Sequence, residues 1–234
     1  MVAIDFHNVS VAYDDHTILN SVTLNLTEKR IGIIGANGGG KSTLIKLING
    51  LAAPTSGKVS VDGLDVAKNG KEIRKKVGFI FSDAENQIIM PSVEDDVAFS
   101  LRRLRLSKAE KKQRVSMILK RFYLDNHAQL SPHILSGGQK QLLALASVLV
   151  IEPELIIADE PTTLLDLRNR QQIHKIFNEL EQQLIIVTHD LELLDDFDRV
   201  LCIDEHTVVA DGKPQEVIEF YRDLMTGERK HHDH

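Results

Sequence analysis

The chain has 234 residues, of which 42% are hydrophobic, and carries a formal net charge of −6. This is enough apolar material for one large or two small domains, and the acidic balance argues against a protein that binds nucleic acid through a broad basic surface. The single cysteine, Cys202, excludes a disulfide within the chain. We therefore expect a buried structural thiol in a reducing compartment such as the cytoplasm. Apolar stretches stay short of the ~20 residues that span a bilayer, and the first residues do not resemble a secretory signal.

The first third of the sequence alternates strand and turn patterns. A continuous apolar strand at residues 30–35 runs directly into a glycine-rich loop, and a helix with an apolar face is predicted from Lys41 to Asn49, where Gly50 can end it. The other predicted elements of this part are strands at 3–7, 9–13 and 77–81 and a turn at 54–57.

The pattern changes between residues 92 and 151, where there is hardly any strand signal. Residues 108–121 are strongly basic and have apolar residues at helical spacing, which predicts an amphipathic helix with a solvated charged face. Strands resume at 155–159, 184–188 and 200–203 with helices between them, as in a mainly parallel sheet. A helical block is therefore predicted inside an α/β core. The histidine-rich tail at 230–234 is not expected to form a fixed metal site.

The first of two glycine-rich motifs occupies residues 35–42 and follows the pattern G-x-x-x-x-G-K-[S/T]. Its backbone amides can cradle phosphate oxygens with the help of the helix N-terminus that follows. We expect Lys41 to neutralise the β- and γ-phosphates and the Ser42 hydroxyl to ligate Mg²⁺. The expected nucleotide-binding residues of this loop are Gly35, Ala36, Asn37, Gly38, Gly39, Gly40, Lys41, Ser42 and Thr43.

Two carboxylates follow the apolar strand at residues 155–159. Asp159 ends that strand, where an ionised group is costly unless it is paired or close to a metal, so it is the natural partner of the Mg²⁺ held by Ser42. Glu160 leaves the sheet one residue later and can polarise an attacking water as general base.

Four motifs in sequence order resemble those of ATP-binding-cassette (ABC) ATPases. They are the loop at 35–42, Leu-Ser-Gly-Gly-Gln at 135–139, the strand with its two acids at 155–160, and Thr-His-Asp at 188–190. The resemblance covers nearly the whole chain. It implies an α/β fold of the P-loop NTPase (RecA-like) type with a mainly parallel sheet, an N-terminal antiparallel β subdomain and an inserted helical subdomain. The expected division is a core of 1–91 and 152–234 with the helical subdomain at 92–151, and the expected cofactors are ATP and Mg²⁺.

The same resemblance implies roles for residues outside the first loop. Tyr13 would stack on adenine, and His189 would be the switch histidine that contacts the γ-phosphate, so that Glu160, His189 and Lys41 form the catalytic set. Asp166 matches the loop that communicates between paired sites. The signature residues that would meet the γ-phosphate held by the opposite subunit are Ser136, Gly137, Gly138 and Gln139. A serine and two glycines at a helix start form an anion site on physical grounds as well.

One position departs from the family pattern. After the strand at 77–81 the family places a glutamine that reaches the metal and the attacking water, and this chain has Ser82. The Ser82 hydroxyl could still ligate metal or water from a shorter arm, and Gln87 lies too far along to be assumed a substitute. The expected metal set is thus Ser42, Asp159 and Ser82, and the expected coupling set is Ser82, Gln87 and Asp166.

Residues 81–88 and 91–99 are similar to those of energy-coupling-factor (ECF) importers of vitamins and metal ions. This branch implies an ATPase subunit at the cytoplasmic face of the cell membrane, with a vitamin such as biotin as the transported molecule or, alternatively, cobalt or nickel. The implied partners are a second ATPase subunit, in a homodimer or a heterodimer, and a membrane-embedded coupling subunit with a separate substrate-binding membrane subunit.

Two other classes of protein share part of this pattern. DNA-repair or chromosome-organising ATPases have both glycine motifs but need a coiled-coil insertion or DNA-binding domains, which this chain does not show, so we expect no nucleic-acid partner. A GTPase fits the first loop alone, but the Asn-Lys-x-Asp motif that reads guanine is absent from the sequence.

Overall fold

The computed structural model describes residues 1–14, 16–163 and 165–227. The strands are β1 (Ile4–Tyr13), β2 (His16–Leu26), β3 (Arg30–Gly35), β4 (Ser56–Val61), β5 (Leu64–Asp65), β6 (Val77–Ile80), β7 (Leu155–Asp159), β8 (Gln183–Val187), β9 (Arg199–Asp204) and β10 (Thr207–Gly212). The α-helices are α1 (Lys41–Ile48), α2 (Val66–Lys76), α3 (Val93–Ser100), α4 (Lys108–Arg121), α5 (Gly137–Leu149), α6 (Leu167–Asn178) and α7 (Pro214–Thr226).

The strands form two sheets. One is four-stranded with the order β2-β1-β4-β5 and is antiparallel throughout. The other is six-stranded with the order β10-β9-β3-β8-β7-β6, and it is parallel except for the β9–β10 pair. The predicted fold class, a mainly parallel sheet with a separate N-terminal antiparallel sheet, is therefore confirmed. The carboxyl ends of β3, β7 and β8 lie at one edge of the larger sheet, because parallel strands point the same way.

The larger sheet is buried on both faces. Strands β7 and β8 are buried at every residue, as expected for Ile- and Val-rich runs covered on both sides. Alternate residues point to opposite faces: Ile34 packs on the side of the helices α3–α5, while Ile31 and Ile33 pack against α1 and the antiparallel sheet. This separation creates two apolar clusters, one on each side of the sheet. Cys202 is fully buried, as predicted, and burial raises the pKa of its thiol to about 12.

The two strands predicted at 3–7 and 9–13 are one strand, β1. Its register against β2 shifts between Phe6 and Val9, and Asn8 between them has a φ of 46°. Asparagine tolerates this left-handed conformation, so the chain passes through a bulge without leaving the sheet. The sequence pattern indicated the break in alternation but not that pairing continues across it.

Helices supply the segment between residues 92 and 151, as predicted. Helix α4 matches the predicted range, with Val115 and Leu119 buried, and Ser107 and Glu110 form a capping box at its start. Helix α5 is almost fully buried from Gln141 onward. The exact division of the chain into subdomains stays a prediction. No helix in the described part of the chain is both long and apolar enough to cross a bilayer.

Helix α2 was not predicted. Its sequence contains Gly70 and many lysines, and the backbone leaves helical geometry at Asn69. The helix forms because the Asp65 side chain accepts a hydrogen bond from the backbone of Ala67 at its start and because Ile73 is buried against β4 and β6. Tertiary packing thus overrides a weak local propensity here.

Candidate active site

The first glycine-rich loop joins the carboxyl end of β3 to the N-terminus of α1. Gly35 and Gly40 have φ values of 141° and 104°, and a Cβ at Gly40 would lie 2.4 Å from the carbonyl oxygen of Ile18. Only glycine fits both positions. Gly40 is the N-cap of α1 and provides no side-chain hydrogen bond to the helix, so the first amides of α1 keep their capacity to bind an anion.

Lys41 is the buried cation of this loop. Its Nζ donates to the carbonyl oxygens of Gly35 and Ala36, both at 2.8 Å, so the ammonium group lies over the loop rather than extending into solvent. Burial lowers the pKa of Lys41, and the nearby charges of Glu160 and Asp159 oppose that shift. The structure therefore places a positive charge beside the backbone amides that would hold phosphate oxygens.

Ser42 and Asp159 are brought together as the sequence predicted. The Ser42 hydroxyl donates to Oδ1 of Asp159 at 2.9 Å, and Asp159 is only 4% exposed at the end of β7. A hydroxyl and a carboxylate are the hard oxygen ligands that Mg²⁺ takes in nucleotide sites, where phosphates and waters complete its shell. Across the residues the structure covers, no group of three or more His, Cys, Asp and Glu side chains could hold a metal on its own. The donor set fits a magnesium ion that arrives with a nucleotide.

Glu160 leaves β7 through an unusual backbone conformation. Its φ is 51°, its N–H donates to Val187 O at 2.8 Å, and its Oε2 accepts from Thr163 Oγ1 at 3.2 Å. The backbone N–H of His189 also donates to Oε2, at 3.3 Å. A left-handed glutamate costs free energy that the surrounding contacts must supply, and such positions cluster at functional sites. Thr163 was not among the site residues predicted from the sequence, and it contacts the candidate base.

His189 follows β8 and points toward the loop. Its Nε2 lies 3.0 Å from Oδ1 of Asn37 and 3.2 Å from Oε1 of Glu160. Because both neighbours are acceptors, Nε2 carries the proton in this arrangement. The sequence assigned Asn37 to the nucleotide loop, and the structure adds that its side chain contacts the predicted switch histidine.

Asp190, the residue after the predicted switch histidine, contacts helix α6. Its Oδ2 lies 2.8 Å from Nε2 of His174 and 3.6 Å from Nε of Arg170. Asp166, the predicted communication residue, caps the start of the same helix by accepting from the backbone N–H of Asn169 at 2.8 Å. Sequence reasoning missed His174 and Arg170, although their spacing of four residues places them on one helix face.

The second glycine-rich motif begins α5. Ser136 is the N-cap: its hydroxyl accepts from the backbone N–H of Gln139 at 3.3 Å, and the backbone N–H of Ser136 donates to Oε1 of Gln139 at 2.9 Å. Gly138 packs against Asn169, whose side chain leaves no space for a Cβ. Among the described residues, no hydrogen bond or ion pair joins residues 136–139 to the nucleotide loop. The two glycine motifs therefore do not form one site within the chain.

The remaining predicted residues lie around this centre. Tyr13 ends β1 with 56% of its surface exposed, so its ring is available for stacking. Ser82 is exposed just beyond β6, and the side chain of Gln87 turns back onto that strand. The roles assigned to these side chains stay predictions.

Comparison with known proteins agrees with this geometry. Residues 19–163 match the family model described as ABC transporter. The chain is 46% identical over 221 residues to the biotin transport ATP-binding protein BioM of Rhizobium etli, covering 94% of this chain and 98% of the relative. It is 39% identical over 223 residues to an energy-coupling factor transporter ATP-binding protein of Mycoplasma mobile, covering 92% and 81%.

A solved structure gives the same result for the fold. The structure of CbiO1 from Clostridium perfringens, described as part of an ABC transporter complex, has a TM-score of 0.81 and 32% identity, with 97% of this chain and 94% of that chain covered. The chain therefore belongs to the ABC transporter family. It is an ATPase with the P-loop NTPase fold.

Proposed function

We propose that this ATPase is the energy-coupling subunit of an ECF-type ABC importer and that biotin is the transported molecule. The observation that carries the proposal is the convergence of Lys41, the Ser42–Asp159 pair and the Glu160–His189 pair at the carboxyl edge of the parallel sheet. Similarity to BioM over nearly the full length of both chains supports biotin, and similarity to an ECF transporter ATP-binding protein supports the branch.

The proposed binding step uses the nucleotide loop. The loop amides and the N-terminus of α1 would take the phosphate oxygens, while the Lys41 ammonium would exchange its hydrogen bonds to Gly35 and Ala36 for phosphate oxygens. Ser42 and Asp159 would hold Mg²⁺, which supplies Lewis-acid charge neutralisation of the phosphates when bound. Tyr13 would stack on the adenine base.

The proposed hydrolytic step uses Glu160 and His189. Glu160 would accept a proton from the attacking water, and its orientation is fixed by Thr163 and by the backbone of His189. The Nε2–H group of His189 would exchange its hydrogen bond to Oδ1 of Asn37 for one to an oxygen of the γ-phosphate, with the proton staying on the imidazole. The charge that develops on the transferred phosphoryl group would thus meet donors already in place.

The second glycine motif is proposed to act on the nucleotide of a second copy. Residues 136–138 form the start of a 13-residue helix, which carries partial positive charge at its N-terminus. A homodimer would then contain two composite sites, each with a loop from one subunit and a helix start from the other. Membrane-embedded coupling and substrate-binding subunits complete the proposed assembly at the cytoplasmic face of the membrane, and no nucleic acid takes part.

Cobalt or nickel import is the alternative within the same branch. It is supported by similarity to the cobalt import ATP-binding protein CbiO of Syntrophus aciditrophicus, which is 40% identical over 210 residues. The geometry of the proposed nucleotide site does not discriminate between vitamin and metal transport, because its residues would contact ATP rather than the transported molecule.

The proposal is tested by purifying the tagged chain from membranes and measuring transport. We expect two membrane proteins to co-purify in stoichiometric amounts and cells to take up labelled biotin, with uptake lost in the Glu160→Gln variant. Uptake of cobalt or nickel but not biotin, with the same dependence on Glu160, would establish the alternative. An ATPase recovered without any membrane partner would contradict the importer.

A further inference from the structure

We infer that Gln87 is a positioning residue that holds Ser82 at the carboxyl edge of the sheet. The inference rests on the proposed ATPase site and on the sequence-based expectation that the Ser82 hydroxyl ligates metal or water there. The inference explains how Ser82 could act from a position where the family pattern has the longer side chain of glutamine.

Strand β6 is the edge strand of the six-stranded sheet, with β7 on one side of it. An edge strand presents backbone N–H and C=O groups that need partners. The side-chain amide of Gln87 provides both: its Oε1 accepts from the N–H of Phe81 at 3.2 Å, and its Nε2 donates to the carbonyl of Phe79 at 3.5 Å. The backbone N–H and C=O groups of residues i and i+2 point toward the same edge of a strand. The side-chain amide of Gln87 therefore bonds to β6 in the way that a peptide group of an adjacent strand would.

This contact fixes the residue before Ser82. Ile80 pairs with Ala158, so residues 81 and 82 leave the sheet beside Asp159 and Glu160. Neighbouring strands lie about 5 Å apart, so the short Ser82 side chain must reach across that distance toward the acids after β7. It can do so only if its backbone is held in place. The hydrogen bond from the Phe81 N–H to Gln87 prevents the end of β6 from fraying and thereby sets the reach of the Ser82 hydroxyl.

The segment that carries Gln87 also contacts helix α5, which begins at the second glycine motif. Glu85 forms an ion pair with Lys140 in the first turns of α5, and Ala84 is buried. Asp96 is buried at the start of α3 and accepts from the backbone N–H groups of Ile89 and Met90 and from the hydroxyl of Ser147 in α5. Gln87 thus joins a segment bound to α5 to the strand that ends at the catalytic edge. A movement of α5 would reach Ser82 through this side chain.

The test is a double-mutant cycle on ATP hydrolysis by the purified full-length chain, with Mg²⁺ titrated. Gln87→Ala is expected to lower kcat at least about threefold and leave the KM for ATP nearly unchanged, because a misplaced group costs turnover rather than binding. In a Ser82→Ala background the same substitution is expected to have almost no further effect, since the two residues act as one unit.

Asn86→Ala is the matched control, because the Asn86 side chain bonds only to Asp83, within its own turn. Gln87→Met keeps the length of the side chain and loses both hydrogen bonds, so it must reproduce the loss even if Gln87→Ala is unstable. Equal kcat values for the Gln87 and Asn86 variants, or effects of Ser82 and Gln87 that multiply, would overturn the inference and leave the proposed function intact. A wild-type chain that hydrolyses no ATP would overturn both.

Discussion

At the residue scale, the centre of the site is the imidazole of His189. Its Nε2 has Asn37 and Glu160 as neighbours, at 3.0 and 3.2 Å. The predicted switch histidine therefore lies between the nucleotide loop and the predicted base, while Oε1 of Glu160 is buried without a hydrogen-bond partner among the described residues. Binding of the γ-phosphate must exchange these contacts for new ones, which makes the arrangement of the catalytic groups depend on the ligand.

Substitution of the candidate base tests this arrangement. Glu160→Gln preserves size and the hydrogen bond from Thr163, but it removes the group that accepts a proton. We expect kcat for ATP hydrolysis to fall by about 10²- to 10⁴-fold. Affinity for ATP, measured by calorimetry, should stay near the wild-type value, because the phosphate contacts come from the loop and Lys41.

Glu192→Gln is the control for that substitution, since Glu192 is exposed and lies close to the switch histidine in sequence. Its turnover should match that of the wild type. If Glu160→Gln also retained wild-type turnover, Glu160 could not be the base.

At the scale of secondary-structure elements, a buried carboxylate connects the helical segment to the loop after β6. Asp96 is 4% exposed and accepts three hydrogen bonds, from Ile89, Met90 and Ser147. An alanine here would leave two backbone N–H groups and a hydroxyl without their partner in a low-dielectric environment. The contact therefore holds α3, α5 and the loop after β6 in one arrangement.

Asp96→Ala is expected to lower the free energy of unfolding by about 3 kcal/mol, measured by urea denaturation. Asp95→Ala, the neighbouring exposed position, loses only a bond to the Ser92 hydroxyl and should cost less than about 1 kcal/mol. Equal costs at the two positions would show that burial of the Asp96 network contributes no stability.

Element prediction from sequence succeeded where the pattern was strongly periodic or continuously apolar. Strands β3 and β7 have the predicted bounds because each is a short continuous apolar run, and helix α4 has them because its apolar residues recur at helical spacing. Helix α2 was missed because tertiary packing rather than helix propensity stabilises it. Strand β1 was predicted as two strands because the bulge at Asn8 interrupts the alternation in the sequence as the end of a strand would. Both errors arise where contacts from distant residues decide the local backbone.

At the scale of the whole molecule, the two glycine motifs lie in different parts of the fold. The first joins β3 to α1 and the second begins α5, and within the described residues no bond connects them. Two half-sites in one chain favour a dimer in which each half-site meets the complementary one of the partner. In the proposed dimer, ATP would lie in the subunit interface.

We expect Glu160→Gln to form an ATP-dependent dimer on size-exclusion chromatography with light scattering, since bound ATP is not consumed. Adding Ser136→Glu should keep the protein monomeric with ATP present, because a carboxylate at the helix start would repel the γ-phosphate. ATP binding by each subunit should change by less than about threefold.

Ser116→Glu introduces the same charge at an exposed position of α4 and should leave dimerisation intact. A Ser136→Glu protein that still dimerises with ATP would contradict a role for the second glycine motif in the interface.

Residue types at fixed spacing were enough to predict a phosphate-binding loop, the two acids after β7, the histidine after β8 and the helix start at residue 136, because each motif lies next to a recognisable element. Three contacts became visible only in the folded chain: Asn37 with His189, His174 and Arg170 with Asp190, and Gln87 with the edge of β6. These contacts join residues that are separated in sequence by intervening turns, helices or strands, and their geometry depends on how the sheet and the helices pack. Local periodicity carries no information about that packing.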